Sequence, residues 1–275
     1  MPKVVTNDGV ALNYAERGEG QPLLIVPGWG MSVRWFQGQL EDLSDRMRVI
    51  VFDPRGQGDS DKVSRGQRMA RLARDIEDVI FGLGLEDVVL VGWSLGVSSV
   101  LAYIDVFGTD RLAKVVLVDG GTKLINDGEW DLGFVDLEGA AAWRSLVESD
   151  LDTAARQVVP QFFAQPLSDD DFDWMVQETV KCDQAGLGSI TWNVLNQDYR
   201  DVPEKLDVPT LVVAGRHDVV IPAANAPWMA ERIPGARLVM FEHSSHCPFL
   251  EEREAFNREV ASFVGSPSGE PAPTP

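Results

Sequence analysis

Gly92-Trp93-Ser94-Leu95-Gly96 sets one serine between two glycines, after an apolar run (Val88–Val91) and before a helical pattern (Leu95–Phe107). A G-x-S-x-G in that setting holds its serine in a strained turn, and only small residues two before and two after it avoid collision. Ser94 then stands at a helix N-terminus, whose dipole favours the negative charge that forms during acyl transfer. The chemistry open to such a serine is attack on a carbonyl carbon. It needs a base to take its proton and N–H donors to hold the oxyanion. Without those partners the motif is only a helix-capping serine among flexible glycines.

The donors have a candidate source. Leu24-Ile25-Val26-Pro27-Gly28-Trp29-Gly30 ends a buried run in a glycine-rich turn, which can aim the backbone N–H of Trp29 at the nucleophile. With the N–H of Leu95 it would form an oxyanion hole. The base is found by enumeration, since the chain has three histidines: His217, His243 and His246. A base after the last strand needs a loop that reaches back over the sheet, and Phe241 to Pro248 supplies one. His246 sits well along that loop, whereas His243 is too close to the strand end. His217 lies beside Asp218 and reads as a surface or core histidine. For the acid, Asp218 follows the penultimate strand and completes the order Ser…Asp…His. Asp119 also ends a strand and is the alternative, although capping its own turn suits it better. Asp53-Pro54-Arg55-Gly56-Gln57-Gly58-Asp59-Ser60 reads as a tight structural turn near the site.

These residues need a scaffold that delivers strand ends to one place. A hairpin opens the chain: Lys3–Thr6, a turn at Asn7–Gly9, then Val10–Glu16. Nearly uninterrupted apolar runs follow at Leu23–Val26, Val49–Phe52, Val88–Val91, Val115–Val118 and Leu211–Val213, with a more mixed one at Arg237–Phe241. Such runs suit parallel strands buried on both faces. Helical patterns lie between them at Val33–Leu43, Arg68–Leu83, Leu95–Phe107, Ala223–Arg232 and Glu251–Val264. Alternation of this kind predicts an α/β fold, a mostly parallel doubly wound sheet with ligands beyond the carboxyl ends of its strands.

One stretch breaks the alternation. Residues 122–207 carry helical patterns and no convincing strand, and hold four of the eight tryptophans. This predicts a helical cap inserted into a core made of residues 1–121 and 208–264. Trp93, Trp130, Trp143, Phe162 and Trp192 are the expected pocket side chains, because ligand pockets are lined mainly by apolar and aromatic groups. The Pro/Gly/Ser-rich tail, 265–275, is expected to be disordered.

Composition narrows the partners. Acidic residues outnumber basic ones 43 to 24, for a net charge of -19, which argues against nucleic acid and anionic membranes. No apolar run reaches 18 residues, so no membrane span is expected. No secretory signal is visible, and the two cysteines are far apart in sequence. A cytoplasmic protein without a structural disulfide is therefore expected. The few cysteines and histidines lack metal-ligand spacing, and serine acyl transfer needs neither a metal nor an organic cofactor.

Taken together, PGWG, DPRGQGDS, GWSLG, the GRHD loop and SSHCPFLEE resemble the α/β-hydrolase superfamily over residues 12–264. Within it the chain looks like small bacterial esterases, enol-lactonases and the cofactor-free haloperoxidase or perhydrolase group. The elbow is similar to that of carrier-protein methyl esterases. The resemblance implies the α/β-hydrolase fold, with Ser94, Asp218 and His246 as catalytic residues. It also implies Trp29 and Leu95 as oxyanion donors, and Gly28, Gly92 and Gly96 as the turn glycines. Three positions depart from the common pattern: Pro27 where His is frequent, Ser245 before the histidine where Gly is common, and Val97 where a third elbow glycine often stands. Serine at 94 disfavours the dehalogenases and epoxide hydrolases, which use aspartate there. The expected activity is hydrolysis of a small, mainly apolar carboxylic ester. Lactone hydrolysis and perhydrolysis are alternatives on the same triad. C–C bond or amide hydrolysis follows further off, and last a non-catalytic binding protein that has kept the fold.

Overall fold

A computed structural model describes residues 2–266. The chain runs β1 (Lys3–Val5), β2 (Ala11–Arg17), β3 (Pro22–Val26), α1 (Gln37–Asp42), β4 (Arg48–Phe52), α2 (Met69–Gly82), β5 (Val88–Trp93), α3 (Leu95–Phe107) and β6 (Leu112–Val118). It continues through α4 (Leu137–Ser149), α5 (Leu151–Val158), α6 (Asp169–Val180) and α7 (Gln184–Leu195), and closes with β7 (Thr210–Gly215), α8 (Asn225–Arg232), β8 (Arg237–Phe241), α9 (Pro248–Glu251) and α10 (Arg253–Gly265). The strands form one sheet in the order β1-β2-β4-β3-β5-β6-β7-β8. β1 and β2 pair antiparallel at one edge, and every pairing from β4 to β8 is parallel. The mostly parallel doubly wound sheet expected from the sequence is the observed one.

The apolar runs explain the sheet's interior. β5 and β7 are buried along their whole length, as strands covered by helices on both faces must be. β8, the edge strand, is only partly buried, which accounts for its mixed composition. Among the described residues no helix is long and apolar enough to cross a membrane.

Two helices differ from the expected ranges. The 33–43 segment divides into a 3-10 turn (Val33–Phe36) and the short α1, and the amide of Val33, which has no helical carbonyl to reach, donates to the Asp53 carboxylate. The 251–264 segment breaks at Glu252, whose side chain is spent on the amide of His243 and the hydroxyl of Ser244. The helix then runs through Gly265, one residue into the segment expected to be disordered. Ser266 is held by the Lys114 ammonium, which also binds the Phe263 and Val264 carbonyls. The rest of that tail lies outside the described residues.

Residues 122–207 contribute α4 to α7 and no strand, only isolated bridges such as Lys123 with Asp198. Each helix starts on a side chain that accepts from the amide three residues on: Asp136, Asp150, Ser168 and Asp183. These caps satisfy donors that the first turn leaves unpaired, so local sequence alone sets where each helix begins. The segment leaves the sheet after β6 and rejoins it at the neighbouring β7, so its helices stand over the strand ends where Ser94 lies.

Candidate active site

Strand β5 delivers the nucleophile candidate. Ser94 has φ 56° and ψ -119°, a left-handed strain for a residue with a side chain, and α3 starts at the next residue. The glycines are required by close approach. A Cβ on Gly96 would lie 2.1 Å from the Val26 carbonyl oxygen, and one on Gly92 would lie 2.6 Å from that of Gly96. The amide of Ser94 is anchored on the Val118 carbonyl at 3.0 Å.

The loops after β7 and β8 supply its partners. Nε2 of His246 lies 2.9 Å from Ser94 Oγ, and Nδ1 lies 2.7 Å from Asp218 Oδ2. His246 is fully buried and Asp218 nearly so. Asp218 is oriented by its own turn, with Oδ1 accepting from the amides of Val220 (2.8 Å) and Ile221 (3.0 Å). The two loops are locked together. The His217 amide donates to the Ser244 carbonyl, and Ser245 Oγ donates to the His217 carbonyl. Gly215 allows this contact, since a Cβ there would lie 1.8 Å from the Ser245 carbonyl oxygen. Glu251 completes the clamp by accepting from the amides of Ser245 (2.8 Å) and Ala164 (2.6 Å). His217 and His243 are exposed, and it is His246 that bonds to the serine.

Asp119 behaves differently from the turn cap expected. Its Oδ1 accepts from the Gly215 amide of the neighbouring strand at 2.8 Å, and the residue is buried with φ 45°. Its carboxyl oxygen, one of Asp218 and a His246 ring nitrogen lie within 4.8 Å of one another. Burial, reinforced by the Asp218 charge, holds the Asp119 carboxyl well above the usual carboxylate range.

The Gly28–Trp29 turn packs against the elbow: a Cβ on Gly28 would meet the Trp93 ring at 2.8 Å and Ser94 Cβ at 3.0 Å. Among the described residues neither the Trp29 nor the Leu95 backbone N–H donates to a protein acceptor. The Trp29 indole turns toward α7, donating to Thr191 Oγ1 at 2.7 Å, and its ring lies 5.5 Å from that of Trp143.

A cavity opens beside Ser94, and no charged side chain lines it. Its hydroxyls are Ser94 and Thr191, and the latter is already committed to Trp29 and to the Leu187 carbonyl. Of the expected pocket residues, Trp93, Trp143 and Phe162 line it, and Trp130 and Trp192 do not. Trp130 packs edge-on against Trp228 and donates its indole N–H to the Lys123 carbonyl. Trp192 faces Arg144, whose guanidinium lies 5.4 Å from the ring centre. Sequence reasoning missed Leu124, Thr191 and Leu195. It missed Val220 and Ile221 as well, although they follow the expected acid directly. Thr191 and Leu195 are four apart on α7, a spacing that marks one helix face.

Known proteins resemble this chain over nearly its whole length. A non-heme haloperoxidase of Rhodococcus erythropolis is 31% identical over 97% of this chain and 100% of its own length. A pimeloyl-[acyl-carrier protein] methyl ester esterase of Vibrio cholerae is 29% identical over 93% and 98%. Among solved structures, an esterase from Exiguobacterium antarcticum superposes with a TM-score of 0.92 at 29% identity, covering 96% of this chain and 99% of the other. The profile of the alpha/beta hydrolase fold family matches residues 21–253, so the chain belongs to that family.

Proposed function

We propose that the protein is a serine hydrolase acting on small, mainly apolar carboxylic esters through a covalent acyl-enzyme, with Ser94, His246 and Asp218 as its triad. The observation that carries this reading is the unbroken relay Asp218–His246–Ser94, at 2.7 and 2.9 Å, opening on a cavity without charge. His246 Nε2 takes the Ser94 proton as Oγ bonds to the ester carbonyl carbon. The oxyanion is held by the N–H groups of Trp29 and Leu95. His246 returns the proton to the leaving alkoxide, and water, deprotonated in turn by His246, releases the acid and regenerates Ser94. Asp218 accepts from Nδ1–H, fixing the tautomer and supporting the charged imidazolium. The helices of residues 122–207 serve as a cap whose underside, with Trp143 and Phe162, covers the acyl group.

The substrate class follows from the lining. A charged group in such a cavity would lose its hydration without a partner, and the -19 net charge also helps to expel a carboxylate product. The test compares kcat/KM for a neutral aromatic ester with a matched ester bearing a remote carboxylate, at low and high salt. The neutral ester is expected to win under both conditions. Preference for the charged one at both would contradict the reading. The relative named a haloperoxidase favours a second outcome, perhydrolysis, in which hydrogen peroxide replaces water at the acyl-enzyme and a peracid leaves. Peracid formation from the same ester in the presence of peroxide tests it.

A further inference from the structure

Asp119 is a carboxyl of the site that the proposed triad leaves unused. It follows β6 with φ 45°, in the left-handed region that Asp enters more readily than most residues with a side chain. One of its oxygens is satisfied by the Gly215 amide at 2.8 Å. The other, Oδ2, is buried and has no hydrogen-bond partner among the described residues. An unpaired buried carboxylate oxygen is costly, and here a second acid, Asp218, lies beside it. The titratable groups that face Asp119 are Asp218, His246, the Cys247 thiol and Glu251.

Two carboxylates this close in a dry site do not both ionise. The hydrogen bonds decide which one carries the charge. Asp218 accepts three N–H groups, from Val220, Ile221 and His246, whereas Asp119 accepts one. We propose that Asp119 is a neutral carboxylic acid that donates its Oδ2 proton to the Asp218 carboxylate, and so acts as a positioning residue for the triad acid. The inference rests on the reading of Asp218 as that acid. The proton satisfies the orphaned oxygen, removes a charge from the interior and gives Asp218 a fourth donor. That donor fixes the plane of the carboxylate against His246 Nδ1. The upward displacement of the Asp119 carboxyl by burial agrees with it.

The experiment compares wild type, Asp119→Asn and Asp119→Ala near neutral pH by infrared difference spectroscopy and steady-state kinetics, with folding checked by near-ultraviolet circular dichroism. Wild type should show the carbonyl stretch of a protonated carboxylic acid that is absent from Asp119→Asn. The asparagine can accept from Gly215 and donate to Asp218, so its kcat should stay within about threefold of wild type, inside the spread of one neutral hydrogen bond. Alanine removes the donor, and kcat should fall about ten- to a hundredfold with KM unchanged, the factor for one hydrogen bond to a charged group. Absence of the protonated-acid band from the difference spectrum would overturn the proposal, and so would an asparagine variant as impaired as the alanine one. Should alanine prevent folding, the comparison of wild type with asparagine decides alone. Failure of Ser94 to react with a fluorophosphonate would instead overturn the triad reading, and the infrared band reports Asp119 independently of that result.

Discussion

Trp93 donates its indole N–H to the carbonyl oxygen of His246 at 2.7 Å, so the residue before the proposed nucleophile holds the backbone of the proposed base. The indole has little freedom. It is 1% exposed, stacked on Trp35 and flanked edge-on by Phe36, Phe162 and Phe249. One rigid side chain therefore spans the two halves of the site, beside the hydrogen bond of Ser94 with His246.

Replacing Trp93 with Phe keeps an aromatic ring and removes this bond. The His246 carbonyl is left short of a donor, and the loop gains freedom to move the imidazole away from Ser94. A fall in kcat of about tenfold is expected, the worth of one hydrogen bond, with KM little changed. Steady-state kinetics on the purified variant checks it, and an unchanged kcat would show that the loop is held elsewhere.

Asp218→Asn should lower kcat by about four orders of magnitude, because an amide can no longer hold the histidine in the required tautomer. The two amides that bind Asp218 Oδ1 leave the backbone able to accept the change. Asp119→Asn should cost far less. Reversal of the two results would move the acid to the end of β6.

The central strands, β3 to β7, were legible in the sequence because each is a short apolar run covered on both faces, a pattern that a surface element cannot carry. The elbow was legible because its glycines are forced by contact with Val26 and Gly96. The three side chains that the structure brings together, Ser94, Asp218 and His246, each follow a strand end, which chain order alone can mark. The pocket was not legible in the same way. Trp130 and Trp192 are as aromatic as Trp143, and only the rotation of the helices and loops over the sheet decides which ring points inward. Asp119 gave no signal of its second carboxyl neighbour, because that pairing joins loops 99 residues apart in number, 218 less 119. The break at Glu252 was equally hidden, since it coincides with hydrogen bonds of that side chain to His243 and Ser244, residues of a loop outside the helix.

The DPRGQGDS turn makes a stability prediction. Arg55, fully buried, binds Asp75 with two nitrogens at 2.6 and 2.7 Å and Asp8 with two at 3.0 Å. Arg55→Leu would strand the buried Asp75 carboxylate beside Arg71 alone, and removing one partner of such a pair costs about 3–5 kcal/mol. Urea unfolding should show that loss. The Arg55 hydrogen bonds also hold the Asp8 carboxyl well below the usual carboxylate range. A depressed folded pKa gives stability that is present above the unfolded value, about pH 4, and is lost as pH falls below it. The deficit of the variant should therefore shrink as the solution is acidified through that window. A deficit that stayed constant down to pH 2 would mean that the charges at Asp8 are not the cause.

The central claim is that Ser94 is the nucleophile activated by His246, and the most direct measurement is the intact mass and peptide map of the protein after exposure to a fluorophosphonate. One adduct per chain, located on Ser94, is predicted, with labelling lost in Ser94→Ala and strongly slowed in His246→Ala. The Ser94→Ala variant should remain folded and lose roughly a million-fold in kcat toward its best ester. Ester turnover that persists in Ser94→Ala at more than a few per cent of wild type, or an adduct on another residue, would contradict the account.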